Sequence, residues 1–288
     1  MEKTNKKWPF HGWLGLILIA VFWILNWSLP GNRTHVLFFP LWLGYGLTVD
    51  ALVKVRKGTS LLTRSPVAYI GLFFVSAPAW WLFELLNRRS QNWIYLGIDN
   101  FTGFEYFLFA TLNFSTVIPA VFGTAELVGT IPFIRKIKKG LKILSYPKNP
   151  AFFFITGWVM LCLLLLRPRY FFPFMWLSVF FILDPINARL GNRSLLAEAE
   201  KGEWRTLLSL SLGCLICGFF WEMWNFLSFP KWIYRVPFVG FRHVFEMPVL
   251  GYLGYIPFSW ELFALYHLVA GFFSKKTEAA YIQITSMN

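Results

Sequence analysis

Long apolar stretches separated by short polar segments dominate the pattern along the chain. Eight stretches reach membrane-crossing length, at 12–29, 36–53, 66–87, 104–128, 151–166, 171–187, 206–228 and 246–273. A helix that crosses a bilayer needs about 20 predominantly apolar residues. The pattern therefore predicts an all-α fold, a polytopic membrane helical bundle with about eight transmembrane helices.

Composition strengthens this prediction and excludes other classes. Of the 288 residues 57% are hydrophobic and 14% are charged, and the mean hydropathy is +0.53. An average soluble domain has about 25% charged residues, so a soluble enzyme, a disordered chain and a disulfide scaffold are excluded. No P-loop, G-x-S-x-G or H-E-x-x-H motif is present. We therefore expect no cofactor and no metal.

The basic residues indicate an orientation. The formal net charge is +13. Of the 27 Lys and Arg residues, 19 fall in one set of alternate segments, which includes both termini, and 8 in the other set. Cytoplasmic loops carry the excess of positive charge. We therefore expect a multi-pass protein of the cell's inner membrane with both termini cytoplasmic, and no nucleic-acid partner.

The two halves of the chain repeat the same landmarks. Segment 38–62 matches 171–196, with Asp50 aligned on Asp184. Segment 80–95 matches 219–234, and both carry Glu-x-x-Asn followed by Trp-Ile-Tyr. We interpret the chain as two tandem four-helix repeats, 1–133 and 151–275, with a basic cytoplasmic linker at 134–150 and a cytoplasmic tail at 276–288. Units with an even number of spans are related by an axis along the membrane normal.

Acidic residues within the apolar spans are the candidate catalytic groups. A charged side chain at mid-bilayer costs roughly 2.5–3.5 kcal/mol, so such a carboxyl group is protonated, paired or faces a polar cavity. Apolar burial favours the neutral acid, which suits a general acid. The predicted catalytic residues are Glu222, Glu261, Glu84 and Glu126. The predicted substrate-binding residues are Asn225, Asn87, Trp221, Trp232, Tyr234, Glu246 and His243.

Several of these residues also have an alternative, purely structural explanation. Trp-Ile-Tyr fits an interfacial aromatic belt, and asparagine often bonds across membrane helices. Asp50 and Asp184, close in sequence to basic residues, are expected in helix-end salt bridges. His243 and Glu246 could form a site on the outer face, or His243 could be solvated at the interface.

The order of these residues resembles that of the membrane lycopene cyclases of carotenoid synthesis. Those proteins carry an acidic residue on one span, a W-x-(Y/F) element, and then a span with a proline followed by acidic residues. Here Glu222, Trp232/Tyr234 and Pro257/Glu261 stand in that order, as do Glu84, Trp93/Tyr95 and Pro119/Glu126. The family has adjacent glutamates after the proline, where this chain has one in each half. The resemblance implies that carboxylic acids protonate a polyene and that aromatic faces stabilise the carbocation.

Three functions are compatible with the sequence. The first is a membrane-embedded enzyme that acts on an isoprenoid or other lipid by carboxylate acid/base chemistry. The second is a transporter or lipid carrier with duplicated halves. The third is a non-catalytic assembly partner that uses its basic loops. The expected partners are membrane lipid and a hydrophobic small-molecule substrate.

Overall fold

The structure is a computed structural model that describes residues 7–137, 140, 150–273 and 282–284. Most of the predicted linker 134–150 and of the predicted tail 276–288 lies outside these residues. The positions of the two chain ends relative to a membrane likewise remain a prediction.

Helices account for nearly all of the described secondary structure. The longer ones are α1 (Phe10–Ser28), α2 (Thr34–Lys57), α4 (Pro66–Ser90), α5 (Gly103–Phe114), α6 (Val117–Gly129), α8 (Pro150–Leu166), α10 (Met175–Leu190), α12 (Arg205–Phe226) and α13 (Tyr255–Phe273). The short ones are α3 (Leu61–Arg64), α7 (Pro132–Lys136), α9 (Pro168–Phe171) and α11 (Leu195–Glu200). Gly58 and Gly191 end α2 and α10 in the left-handed conformation that glycine favours at a helix end.

Seven helical stretches of the described chain are long and apolar enough to cross a membrane. Three of these stretches join shorter helical pieces: α5 and α6 together give Gly103–Gly129, Pro168–Leu190 runs from α9 through α10, and Val249–Phe273 begins before α13. The remaining predicted span corresponds to α8, a shorter apolar helix of 17 residues, about 26 Å long at 1.5 Å per residue. The chain is thus a helical, multi-pass membrane protein. The count of eight stays a prediction.

Glycines allow close approach at three helix crossings. A Cβ atom on Gly15 of α1 would lie 2.8 Å from the carbonyl oxygen of Gly44 on α2. On Gly157 of α8 it would lie 2.8 Å from the carbonyl oxygen of Ser178 on α10. On Gly213 of α12 it would lie 2.8 Å from the backbone nitrogen of Ala125 on α6. Membrane helices associate through such small residues, because the lipid removes the hydrophobic driving force between them.

Two buried aspartates join α2 and α10 to the short helices that follow them. Asp50 accepts hydrogen bonds from the Ser60 hydroxyl at 2.6 Å and the Leu62 backbone N–H at 3.0 Å. Asp184 accepts from the Ser194 hydroxyl at 2.6 Å and from the backbone N–H groups of the next two residues. The expected partners were basic side chains. Both carboxylates bind the start of the following helix, where unpaired N–H groups favour negative charge, and Asp50 also has a basic neighbour in His11, whose Nε2 lies 3.2 Å from its Oδ2.

Short strands close one end of the bundle. Strand β1 (Trp93–Leu96) follows α4, β2 (Lys231–Tyr234) follows α12, and the two pair in antiparallel register. A smaller pair, β3 (His243–Val244) with β4 (Met247–Pro248), lies between β2 and α13. The β1–β2 pair brings together chain segments that are about 140 residues apart in the sequence.

Candidate functional site

Two asparagines hold the strands against the helices that precede them. The side-chain nitrogen of Asn87 donates to the Trp93 carbonyl oxygen at 2.8 Å, and its oxygen accepts from the Trp93 N–H at 3.3 Å. Asn225 makes the same two contacts with the backbone of Trp232, at 2.7 and 3.0 Å. These contacts fix where the strand side chains point. The predicted substrate-binding asparagines therefore act on the site through the backbone of the Trp-Ile-Tyr segments.

Glu84 on α4 is surrounded by aromatic donors. Its Oε1 atom accepts hydrogen bonds from the Trp80 indole at 2.9 Å, the Trp93 indole at 3.0 Å and the Tyr95 hydroxyl at 2.5 Å. Three donors on one oxygen stabilise a negative charge and leave that oxygen little capacity for a substrate. This carboxyl group is thus held in place by its neighbours.

Glu222 on α12 has a different environment. It is fully buried, and its Oε1 accepts from the hydroxyl groups of Tyr234 and Tyr255, each at 2.7 Å. The Trp232 indole donates to the Tyr234 hydroxyl at 3.0 Å. Within the described part of the chain, the Oε2 atom of Glu222 has no hydrogen-bond partner and no cation forms an ion pair with this carboxyl group. One oxygen of a buried acid is therefore fixed and the other is unpaired.

A glycine explains how Tyr255 reaches this acid. Gly218 lies four residues before Glu222, as Trp80 lies four residues before Glu84. A Cβ atom at Gly218 would lie 2.4 Å from the ring of Tyr255. The second half thus replaces an indole donor from the same helix with a phenol donor from α13. The Tyr255 ring can occupy this place because residue 218 is a glycine and has no side chain.

A cavity of about 180 Å³ lies next to both carboxyl groups. Its wall is mainly aromatic and contains Trp80, Trp93, Tyr95, Trp176, Trp221, Trp232, Tyr234, Tyr255 and Phe258. Of the predicted substrate-binding residues, Trp221, Trp232 and Tyr234 are in this wall. A dry apolar cavity of about 150 Å³ binds benzene, so this one accommodates the end of a larger apolar molecule. The two acids lie behind the wall and contact it through tyrosine hydroxyls.

The strand tyrosines remain hydrogen-bond donors over the physiological pH range. Burial, and then the nearby Glu84, raise the pKa of Tyr95 well above its usual value. Burial and Glu222 do the same to the pKa of Tyr234. A raised phenol pKa means that the hydroxyl keeps its proton. Both groups can therefore donate a hydrogen bond to the adjacent carboxyl group.

Glu261 is placed apart from this cavity wall. It lies on α13, which packs against α10, and it is fully buried. Neither carboxyl oxygen has a hydrogen-bond partner among the residues described. The structure therefore leaves its predicted catalytic role untested and does not bring it to the cavity.

Glu126 forms an ion-pair cluster on α6. Its two oxygens accept from the Arg64 guanidinium at 2.6 and 3.2 Å, and Lys57 Nζ lies 3.8 Å from Oε1. The backbone N–H of Gln283 donates to the same Oε1 at 2.7 Å. Charge-assisted hydrogen bonds of this kind are about twice as strong as neutral ones and fix the side chain in place. The structure thus separates Glu126 from Glu84 and Glu222.

The structure also separates His243 from Glu246, the two residues that could have formed a site on the outer face. His243 is exposed in β3, and Glu246 binds the ammonium group of Lys231. Lys231 lines the cavity, so this ion pair lies near the cavity and His243 is on the surface. Among the described residues, no group of three or more His, Cys, Asp or Glu side chains is placed to hold a metal ion.

Several wall residues were not foreseen. Trp80, Trp176 and Tyr255 contribute to the wall, and so do two polar residues, His35 and Asn113. The signal in the sequence for Tyr255 was its position two residues before Pro257. No sequence motif indicated His35 and Asn113, because these two residues are 78 positions apart in the sequence.

Comparison with known protein families, curated proteins and solved structures gave no match to this chain. Functional conclusions therefore depend on the geometry.

Proposed function

We propose that this chain is a membrane-embedded enzyme that rearranges an isoprenoid-class lipid by carboxylic acid/base chemistry, with Glu222 as the acid. The observation that carries the proposal is the environment of Glu222. A fully buried carboxyl group with one free oxygen contacts two tyrosine hydroxyls that belong to an aromatic cavity wall. General acids of this kind contribute roughly 10²- to 10⁴-fold to a reaction rate.

The proposed reaction requires no oxidant or reductant. A proton from the Glu222 acid adds to one carbon of a substrate C=C bond, and the π electrons form the new C–H bond. The other carbon becomes a tertiary carbocation, and Glu222 becomes a carboxylate. Loss of a proton from a neighbouring carbon forms a new C=C bond and restores the acid. The product has the same formula as the substrate, with or without a ring closed by attack of a second alkene.

The wall residues support each stage of this reaction. The hydroxyls of Tyr234 and Tyr255 contact both the acid and the cavity wall. A hydroxyl that turns from Glu222 toward the cavity can give its proton to the alkene carbon and take the proton of the Glu222 acid in its place. Indole and phenol faces attract a cation by about 0.5–2 kcal/mol each, most strongly when it is desolvated. The Trp176, Trp221 and Trp232 rings line the same cavity. An apolar wall also excludes the water that would trap a carbocation as an alcohol.

We further propose that the two halves are four-helix repeats that form the cavity at their interface. In the proposed repeat, α2, α4 and α6 of the first half correspond to α10, α12 and α13 of the second half. The contact α2–α6 then corresponds to α10–α13, the contact α4–α6 to α12–α13, and the contact α6–α12 to α4–α13. All of these contacts are present. Asp50 and Asp184 also bind equivalent serines. Sites at the interface of such repeats are common in membrane proteins.

A lipid comparison tests the activity. Wild type, Glu222→Gln and the control Glu105→Gln would be expressed in a bacterial host that makes polyprenyl and carotenoid lipids, and the extracts compared by liquid chromatography and mass spectrometry. Glu105 is an exposed residue that caps the start of α5 through Thr102. We expect a product of unchanged mass and altered retention in wild type and control, reduced about 100-fold or more in Glu222→Gln.

Two outcomes would overturn the proposal. Full product formation by Glu222→Gln would remove the acid from the reaction. Transfer of a lipid across the membrane by wild type, with no isomeric product, would favour the transporter alternative.

A further inference from the structure

The cavity wall contains polar groups that the proposed reaction does not use. His35, near the start of α2, and Asn113, near the end of α5, both line it. They are linked, because the Asn113 side-chain nitrogen donates to the His35 carbonyl oxygen at 3.3 Å. The aromatic rings of Phe101 and Phe109 pack edge-on against the His35 ring, at 4.8 and 4.6 Å.

Each residue has an unsatisfied polar atom. Nδ1 of His35 and Oδ1 of Asn113 are buried and have no hydrogen-bond partner in the described structure. Two threonines of the same wall are satisfied: Thr34 binds Asn26, and Thr116 binds the Asn113 carbonyl oxygen. A buried polar group without a hydrogen-bond partner is unfavourable, because it has lost its bonds to water. A ligand that supplies the missing hydrogen bonds recovers this energy.

The other half of the chain lacks this pair. In the alignment of the two halves, His35 corresponds to Pro168 and Asn113 to Gly251. Gly251 lines the cavity without a side chain, and Pro168 is not part of the cavity wall. The unpaired polar atoms of His35 and Asn113 in the described cavity wall therefore belong to the first half, whereas Glu222 belongs to the second half. Such an arrangement can bind an asymmetric ligand in one direction.

We infer that the substrate carries one neutral polar group, a hydroxyl or carbonyl, and that His35 and Asn113 bind it as specificity-determining residues. This inference rests on the proposed function, because it names the substrate class of the same cavity. An alcohol hydroxyl can donate to Oδ1 of Asn113 and accept from a ring N–H of His35, which satisfies both atoms. The apolar remainder of the molecule then lies against the tryptophans, with its alkene toward Glu222.

A binding experiment with matched probes tests the inference. Geraniol and 2,6-dimethyl-2,6-octadiene share a ten-carbon diene skeleton and differ by one hydroxyl group. Their affinities for the full chain in detergent would be measured by direct binding of tritiated geraniol and by competition with the hydrocarbon. The variants would be the double substitution His35→Phe with Asn113→Leu, the polar substitution His35→Gln, and the control Asn100→Leu. Asn100 is exposed and bonds Asn32 outside the cavity.

We expect the double substitution to weaken geraniol about 10-fold, as loss of 1.4 kcal/mol implies, and to leave the hydrocarbon within 2-fold. Asn100→Leu should bind both probes like wild type, and His35→Gln, which keeps a polar group, should weaken geraniol less than the double substitution does. Equal effects of the double substitution on the two probes, or none on geraniol, would overturn the inference. Should the double variant not fold, Asn113→Leu alone must still lower the preference for geraniol. Failure of the proposed function is distinguishable, because it would leave this preference intact and remove only the isomeric product.

Discussion

Ile94 and Ile233 lie opposite each other at the centre of the β1–β2 pair, so that the tryptophan of each Trp-Ile-Tyr segment faces the tyrosine of the other. A segment can pair with its own copy in this register only if a two-fold axis passes between the two central residues. The repeat proposed from the sequence thus predicts that Ile94 and Ile233 are directly opposite each other.

Cysteine cross-linking tests the register. In a Cys162→Ser background, Ile94→Cys with Ile233→Cys should form a disulfide on mild oxidation, because directly opposed Cβ atoms are about 4.5–5.5 Å apart. The matched control is Leu96→Cys with Ile233→Cys, which is two positions out of register. The linked peptides would be quantified by mass spectrometry. Equal cross-linking in the control would contradict the pairing.

Asp184 should be important for stability. Asp184→Leu removes three hydrogen bonds to the start of α11, and we expect it to lower the free energy of unfolding by about 3 kcal/mol. The measurement is denaturant unfolding in detergent.

Two serine substitutions distinguish the contribution of Asp184 to stability from that of ordinary helix capping. Ser65→Ala removes only a cap from α4 and should cost about 1 kcal/mol. Ser194→Ala removes both a cap and a contact to Asp184, so it should cost more. If Ser65→Ala proved as costly as Ser194→Ala, the aspartate would add nothing.

Gly218 should be coupled to Tyr255. Gly218→Ala places a methyl group against the Tyr255 ring, so we expect loss of about 1–3 kcal/mol of stability from overpacking and of product formation. Tyr255→Val, the residue type found at the equivalent position Val117, removes the clash. In the double variant the stability cost of Gly218→Ala should fall to less than half. Additive costs would show that the two residues do not interact.

The sequence was sufficient for the class of fold and for part of the site. Helical spans follow from apolar run length, and the Glu-x-x-Asn and Trp-Ile-Tyr elements lie together because they are local in each half. Trp221, Trp232 and Tyr234 are in the cavity wall because they flank the buried acid on the same helix and strand.

The rest depended on contacts between distant segments. Arg64 lies 62 residues before Glu126, and nothing in the local sequence shows that they meet. Glu126 also follows Ile118 by eight residues, whereas Glu261 follows Ile256 by five. The two acids therefore occupy different turns of their helices, and the repeat does not make them equivalent.

Glu126 should be a stabilising residue. Glu126→Gln weakens a buried ion pair with Arg64, and removal of one partner of such a pair typically costs about 3–5 kcal/mol. Adding Arg64→Met should restore most of the stability and, with it, product formation. The check is unfolding together with the lipid assay. A stable double variant that forms no product would instead support a catalytic role for Glu126.

The most direct test of the account is isotope incorporation in D₂O. If Glu222 exchanges its proton with water and adds it to a substrate alkene, each turnover in D₂O places deuterium on carbon, and the isomeric product gains about 1 Da that Glu222→Gln does not produce. A product formed in D₂O without carbon-bound deuterium, or deuterated equally by Glu222→Gln, would contradict the central claim.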